Sequence, residues 1–146
     1  MTLYHFTTQK HLDGIRKRGL ALGIVPWALT EGKDHFSFVP GWQWLTQESD
    51  WNQDWDAPFF GTAALPFRRT DVRITVSIPA LYDYRAVRWL AWEARMKPPS
   101  AEFFDRYRSA RFWYLYHGTI PPDWFLAIDQ NPNRPESTHL DVLQGN

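Results

Sequence analysis

Apolar and polar side chains alternate most regularly in Val72-Arg-Ile-Thr-Val-Ser-Ile78. Val72, Ile74, Val76 and Ile78 share one face and Arg73, Thr75 and Ser77 the other, which predicts a strand of an antiparallel sheet with one buried face. Leu3-Tyr-His-Phe-Thr7 alternates in the same way. It places Leu3, His5 and Thr7 on one face and Tyr4 and Phe6, natural core residues, on the other. A capped helix follows. The hydroxyl of Thr7 or Thr8 can accept from the free N–H groups of the next turn, and Leu12 and Ile15 form a narrow apolar stripe. Arg16, Lys17 and Arg18 suit the negative end of the helix, and Gly19 suits the position just past it. Gly41-Trp-Gln-Trp-Leu-Thr46 predicts another strand, with Trp42, Trp44 and Thr46 opposite Gln43 and Leu45. Arg111 to Gly118 is apolar or aromatic on both faces, as in a central strand, and Trp124 to Ile128 reads as the closing strand.

Between these strands the pattern changes period. Tyr84, Val87, Leu90 and Ala94, with Trp89 and Trp92, predict a helix over Tyr82 to Met96, broken by Lys97-Pro-Pro. Ser100 is placed to cap a second short helix with Phe103, Phe104 and Tyr107 inward. Ala21 to Pro40 carries Gly23, Pro26, Gly32 and Pro40 and is expected to be a long loop, with a strand turn around Ile24–Val25. In Gln47 to Gly61, Trp51 and Trp55 are spaced to face inward from a short helix, beneath a solvated acidic face. Strands and short helices mix without a βαβ rhythm, so the expected class is α+β. Residues 1–129 are expected to form one domain and 130–146 a polar, flexible tail.

Composition narrows the function classes. Sixteen basic and sixteen acidic residues cancel, which removes whole-molecule attraction to nucleic acid but leaves room for a local patch. The chain has no cysteine, so disulfides, thiolate nucleophiles and cysteine-ligated zinc are excluded. Five histidines show no HExxH or related spacing, and no metal site is expected. His5, Lys10 and His11 interrupt any leader-like apolar run and no stretch is long enough to span a bilayer, so a cytoplasmic location without membrane contact is expected. Nine tryptophans among 17% aromatic residues are many, and their large apolar bodies with polar edges suit both a core and a planar-ligand site.

Three landmarks, in order, carry a resemblance to a known family. They are Leu3-Tyr-His-Phe-Thr7 with a helix carrying Leu12, Ile15, Gly19 and Leu20; then Trp44-Leu-Thr46; then Gly118-Thr-Ile-Pro-Pro-Asp-Trp124 before the closing strand. Together they resemble the ADP-ribosyltransferase-like superfamily, which includes bacterial toxins and RNA 2′-phosphotransferase relatives. The resemblance implies a split, mostly antiparallel sheet and NAD as substrate. It implies His5 on a ribose hydroxyl beside Thr7, Trp44 or Tyr114 stacked on nicotinamide, and Thr46 at the floor. The candidate nucleotide-binding set is therefore Tyr4, His5, Thr7, Trp44, Thr46 and Tyr114.

Cleaving the nicotinamide–ribose bond creates an oxocarbenium-like centre, which calls for a nearby carboxylate. Where the family usually carries a glutamate, this chain reads Ala110-Arg-Phe-Trp-Tyr114. An active transferase would have to recruit Glu93 or Glu48. RNA 2′-phosphotransferases use arginine and histidine instead, which would give Arg111 or His117 a part. The candidate catalytic residues are His5, Glu93 and His117, and the target is a protein or a nucleic acid. The alternative is a catalytically silent module that holds a nucleotide, nucleic acid or protein in an aromatic cleft.

Overall fold

The computed structural model describes residues 1–29, 36–53, 70–96 and 108–132. Among these residues, eight strands and two short α-helices run in the order β1 (Thr2–Thr7), α1 (Leu12–Arg18), β2 (Ile24–Leu29), β3 (Phe36–Pro40), β4 (Trp42–Thr46), β5 (Val72–Ser77), β6 (Ala86–Arg88), α2 (Trp89–Glu93), β7 (Trp113–His117) and β8 (Phe125–Gln130). Six strands form one sheet in the order β6-β7-β4-β1-β5-β8, and β2 and β3 form a separate hairpin. Every pairing is antiparallel. The fold is α+β, as the alternating patterns imply.

The six-stranded sheet consists of two halves. β1 pairs with β5 through all six of its residues, and β4 with β7 through all five. Between β1 and β4, in contrast, backbone pairing is confined to Tyr4↔Thr46. The two strands therefore part from Tyr4 toward Thr7 and from Thr46 toward Trp42, leaving a seam in the middle of the sheet.

Both faces are packed. Because opposed residues in an antiparallel ladder point the same way, Phe6 shares a face with Trp44, Trp113 and Leu115. This face packs against Trp89 and Met96 and against Val25 of the hairpin. Indole N–H groups of Trp44 and Trp92 donate to the Ile24 and Pro26 carbonyls, at 2.8 and 2.9 Å, and fasten β2 in place. The other face buries Leu3, Leu45, Ile74, Val76 and Tyr116 beneath Leu12, Leu20 and Ile120. So only the His5–Thr7 end of that side of β1 is open, since Leu3 is core.

Two expectations need correction. The helix expected over Tyr82 to Met96 is instead a 3-10 turn (Ala80–Arg85), strand β6 and the five-residue helix α2. Pairing of Ala86–Arg88 with Tyr114–Tyr116 outweighs the helical spacing, in a segment whose aromatic and β-branched residues are indifferent helix formers. The loop expected from Ala21 to Pro40 contains the β2–β3 hairpin, with a register shift between Pro26 and Ala28 where proline cannot donate to the ladder. The second short helix, Trp55 and residues 133–146 of the expected tail lie outside the described residues. Asn131 is buried, with its backbone and side-chain amides donating to the carbonyls of Asp71 and Thr70. No helix among the described residues is long and apolar enough to cross a membrane.

Candidate functional site

Where β1 and β4 part, a cavity of about 310 Å³ opens between the strand ends, α1 and the segment leading to β2. His5 and Thr7 enter from β1, Gln43 and Trp44 from β4, and His11, Ile15 and Arg18 from α1 and the turn before it. Ala21, Leu22 and Gly23 form the rim.

Local sequence explains how α1 comes to face this opening. Thr8, rather than Thr7, caps the turn: its Oγ1 accepts from the Lys10 N–H at 3.2 Å. Thr7, which does not serve as the cap, lines the cavity. The chain winds through a 3-10 turn (Gln9–His11) into α1, and Gly19 stops the helix as expected, its N–H donating to the Ile15 carbonyl at 2.7 Å. Gly19 has φ of 80°, and a Cβ there would run into the Ile120 carbonyl, so a side chain is barred twice over. Leu20 and Ile120 then exchange backbone hydrogen bonds, which clamp the segment after α1 to the strand connection before β8.

Behind the cavity lies a closed hydrogen-bond circuit. The Gly41 N–H donates to the Gly23 carbonyl and the Gly118 N–H to the Gly41 carbonyl. The buried Gln43 amide closes the circuit, accepting from the Gly23 N–H at 2.9 Å and donating to the Gly118 carbonyl at 3.0 Å. A Cβ on Gly23 would strike the Trp42 carbonyl and the Gln43 amide, so this close approach needs glycine.

The central group is His5. Its Nδ1 lies 2.8 Å from the Trp44 carbonyl oxygen. A carbonyl only accepts, so Nδ1 carries the proton and Nε2 of the neutral ring keeps its lone pair. Burial pushes the imidazole below its ordinary pKa, against the opposing pull of the Trp44 carbonyl, and His11 nearby adds to the lowering. His5 is therefore neutral at physiological pH and offers an acceptor at the cavity, suited to a ligand hydroxyl. The Arg18 guanidinium reaches back over Gly14, where a Cβ would crowd it. It supplies positive charge to the same cavity, and among the described residues none of the lining side chains is a carboxylate. A neutral acceptor, a hydroxyl and a guanidinium around an apolar wall can hold a sugar carrying a phosphate. The volume is at the lower end of the roughly 300–1,000 Å³ of small-molecule sites, which suits a nucleoside-sized group.

Of the residues singled out from sequence, the cavity gathers the side chains of His5 and Thr7. Trp44 borders it beside its carbonyl, while its ring packs on the opposite face against Trp89 and Trp113, 5.0 and 5.7 Å away, and is not placed to stack on a ligand beside His5. The others lie elsewhere. Thr46 is fully buried on the opposite face, because it pairs with Tyr4 rather than with His5, and its hydroxyl accepts from the Glu48 N–H at 3.2 Å. Tyr4 packs on that same face beneath Arg73, whose guanidinium lies 6.0 Å from its ring. Tyr114 stands beyond the cavity, with Arg88 over its ring and its hydroxyl accepting from Gln47 at 3.4 Å. Glu93 is in α2, which packs on the Trp113 side of the sheet. His117 is exposed and stacks on Trp42 at 4.4 Å. Sequence reading missed Gln43, His11 and Arg18 as site residues. A buried-face glutamine opposite Leu-Tyr-His was the available signal for the first, whereas Arg18 looked like ordinary helix-end charge.

Comparison with protein-family models, with curated proteins and with solved structures finds no match to this chain.

Proposed function

We propose that this chain is an ADP-ribosyltransferase-like protein that takes NAD, or a related nucleotide, at the parted strands. His5 Nε2 accepts from a ribose hydroxyl, Thr7 bonds a neighbouring one, and Arg18 meets a phosphate. The nicotinamide or the second nucleoside extends past Leu22 at the rim, since the cavity suits one half of a dinucleotide. One observation carries this reading. The six-stranded sheet is joined across its middle by the single pair Tyr4↔Thr46, and His5 stands at the opening.

A second reading has its own support. Among the described residues no carboxylate lines the cavity, and Glu93 is on the other side of the sheet. Without an acid beside the ribose, nothing in the lining stabilises an oxocarbenium-like centre. On that ground the protein is a catalytically silent module that holds the nucleotide, or a nucleic-acid or protein partner, without cleaving it.

Titration with NAD, followed by calorimetry and by melting temperature, tests the shared premise. Saturating NAD at ~100 times its Kd adds about 2.7 kcal/mol of stability by linkage, and His5→Ala removes that gain. If NAD neither binds nor shifts the melting temperature, both nucleotide readings lose their basis. Incubation with labelled NAD then separates them: label transferred to protein or nucleic acid identifies a transferase, and intact NAD identifies a binding module.

A further inference from the structure

The short edge strand β6 carries a group of arginines that the nucleotide cavity does not use. Arg85 precedes it, Arg88 ends it, and Arg111 lies alongside, its carbonyl accepting from Arg88 Nη2 at 3.4 Å. Arg88 and Arg111 are exposed, and Arg85 donates to the exposed tyrosine hydroxyl of Tyr84 and to the His117 carbonyl. None of the three forms an ion pair among the described residues. Surface arginines commonly sit beside a carboxylate, so three together without one leave a local excess of positive charge on a chain whose net charge is zero.

Each guanidinium is also seated against an aromatic ring. The distances are 5.6 Å from Arg85 to Tyr84, 5.6 Å from Arg88 to Tyr114 and 4.7 Å from Arg111 to Phe112. Ring contact holds the guanidinium planes in place, and Arg85 and Arg88 use only part of their donors on the Tyr84 hydroxyl and the His117 and Arg111 carbonyls. Tyr84 is 75% exposed, so a large planar surface stands uncovered at one end of the row. Arg85 ends the 3-10 turn and Arg88 ends β6, so the two flank the three-residue edge strand.

We propose that the β6 edge is a binding surface for single-stranded nucleic acid, with phosphates on Arg85, Arg88 and Arg111 and bases stacked on the ring and guanidinium planes. A strand of a few nucleotides matches the length of the row. An acidic peptide would satisfy the charge but would leave the exposed aromatic plane unused, whereas every base has a face to stack on it. The surface stands apart from the His5 cavity and does not depend on what that cavity holds.

Fluorescence polarisation with labelled 12-nucleotide DNA and RNA single strands, using the full chain, tests this. Three phosphate contacts give a slope of log affinity against log salt near −2, at about 0.7 per contact, or a roughly fifteen-fold weakening from 50 to 200 mM salt. The triple variant Arg85→Gln, Arg88→Gln, Arg111→Gln is expected to lose at least ~tenfold in affinity and most of the slope. Arg111→Gln alone, whose guanidinium is seated against the exposed edge at Phe112, is expected to reduce the slope by about 0.7 while the melting temperature stays unchanged. His5→Ala leaves oligonucleotide binding intact, which separates this surface from the cavity. The proposal is overturned by absence of binding at 50 mM salt, by a folded triple variant that binds like the parent, or by polyglutamate competing as well as the oligonucleotide.

Discussion

The His5 imidazole donates to the Trp44 carbonyl across 2.8 Å, at the place where β1 and β4 cease to pair. A side chain thus supplies the donor that a ladder amide would provide in an unbroken sheet. His5→Ala leaves that carbonyl short of its partner and is expected to cost about 1–2 kcal/mol. Urea unfolding followed by tryptophan fluorescence reads the loss as a lower midpoint at unchanged slope. An unaltered midpoint would show that the bond does not hold the seam.

Acid should weaken the fold through the same group. Burial lowers the His5 pKa in the folded state, so the unfolded chain binds the proton more readily. The stability this provides is complete above the ordinary imidazole value of about 6.5 and is lost as pH falls through the lower, folded value. Unfolding midpoints at a series of pH values between neutral and mildly acidic should decline, and His5→Ala should flatten part of that decline. Nucleotide affinity should fall in parallel, because protonation removes the Nε2 lone pair.

Gln43 is the side chain through which the circuit behind the cavity closes. Gln43→Leu keeps the volume but strands the Gly23 N–H and the Gly118 carbonyl. Two part-buried backbone groups without partners are expected to cost about 1–3 kcal/mol in all. Thermal denaturation by circular dichroism checks this, and Gln43→Glu, which buries a carboxylate and sets an acceptor against the Gly118 carbonyl, should cost at least as much at neutral pH.

Arg73 and Asp129 form an ion pair at 3.2 Å across β5 and β8, but the two members are not equivalent. Arg73 also donates to the Ser49 carbonyl at 2.6 Å and lies 4.6 Å over the Trp51 ring. Asp129→Asn is expected to cost about 0.5 kcal/mol or less, as for other half-exposed pairs. Arg73→Ala, which removes the ring contact and the carbonyl bond too, should cost about 1–2 kcal/mol. Equal losses in the two variants would mean that the ion pair alone matters.

What could be read from sequence follows the range over which each signal acts. β1, β4, β5 and β7 were legible because their alternation is local and each strand must hide one face. The Thr8 and Gly19 boundaries of the first helical segment were legible for the same reason. β6 was not, since a three-residue strand becomes one only when β7 is there to pair with it. The hairpin of β2 and β3 was masked by Pro26 and Gly23, which read as loop residues but serve as a bulge and a close crossing. At the site, period two put His5 beside Thr7 correctly. It could not tell whether Thr46 faces them, because that depends on the register of β1 against β4, and Tyr4↔Thr46 sends it to the other side.

The wall behind the cavity is fastened mostly by main chain, through Gly23, Gly41 and Gly118, with one glutamine as the clasp. Leu22, beside it on the rim, is 79% exposed. Chassis and lip are thereby decoupled. Substitution at position 22 can reshape the rim without loosening the frame, whereas Gly23 has no room for a side chain and Gly41 and Gly118 hold positive φ. Selection for a new ligand would begin at that leucine.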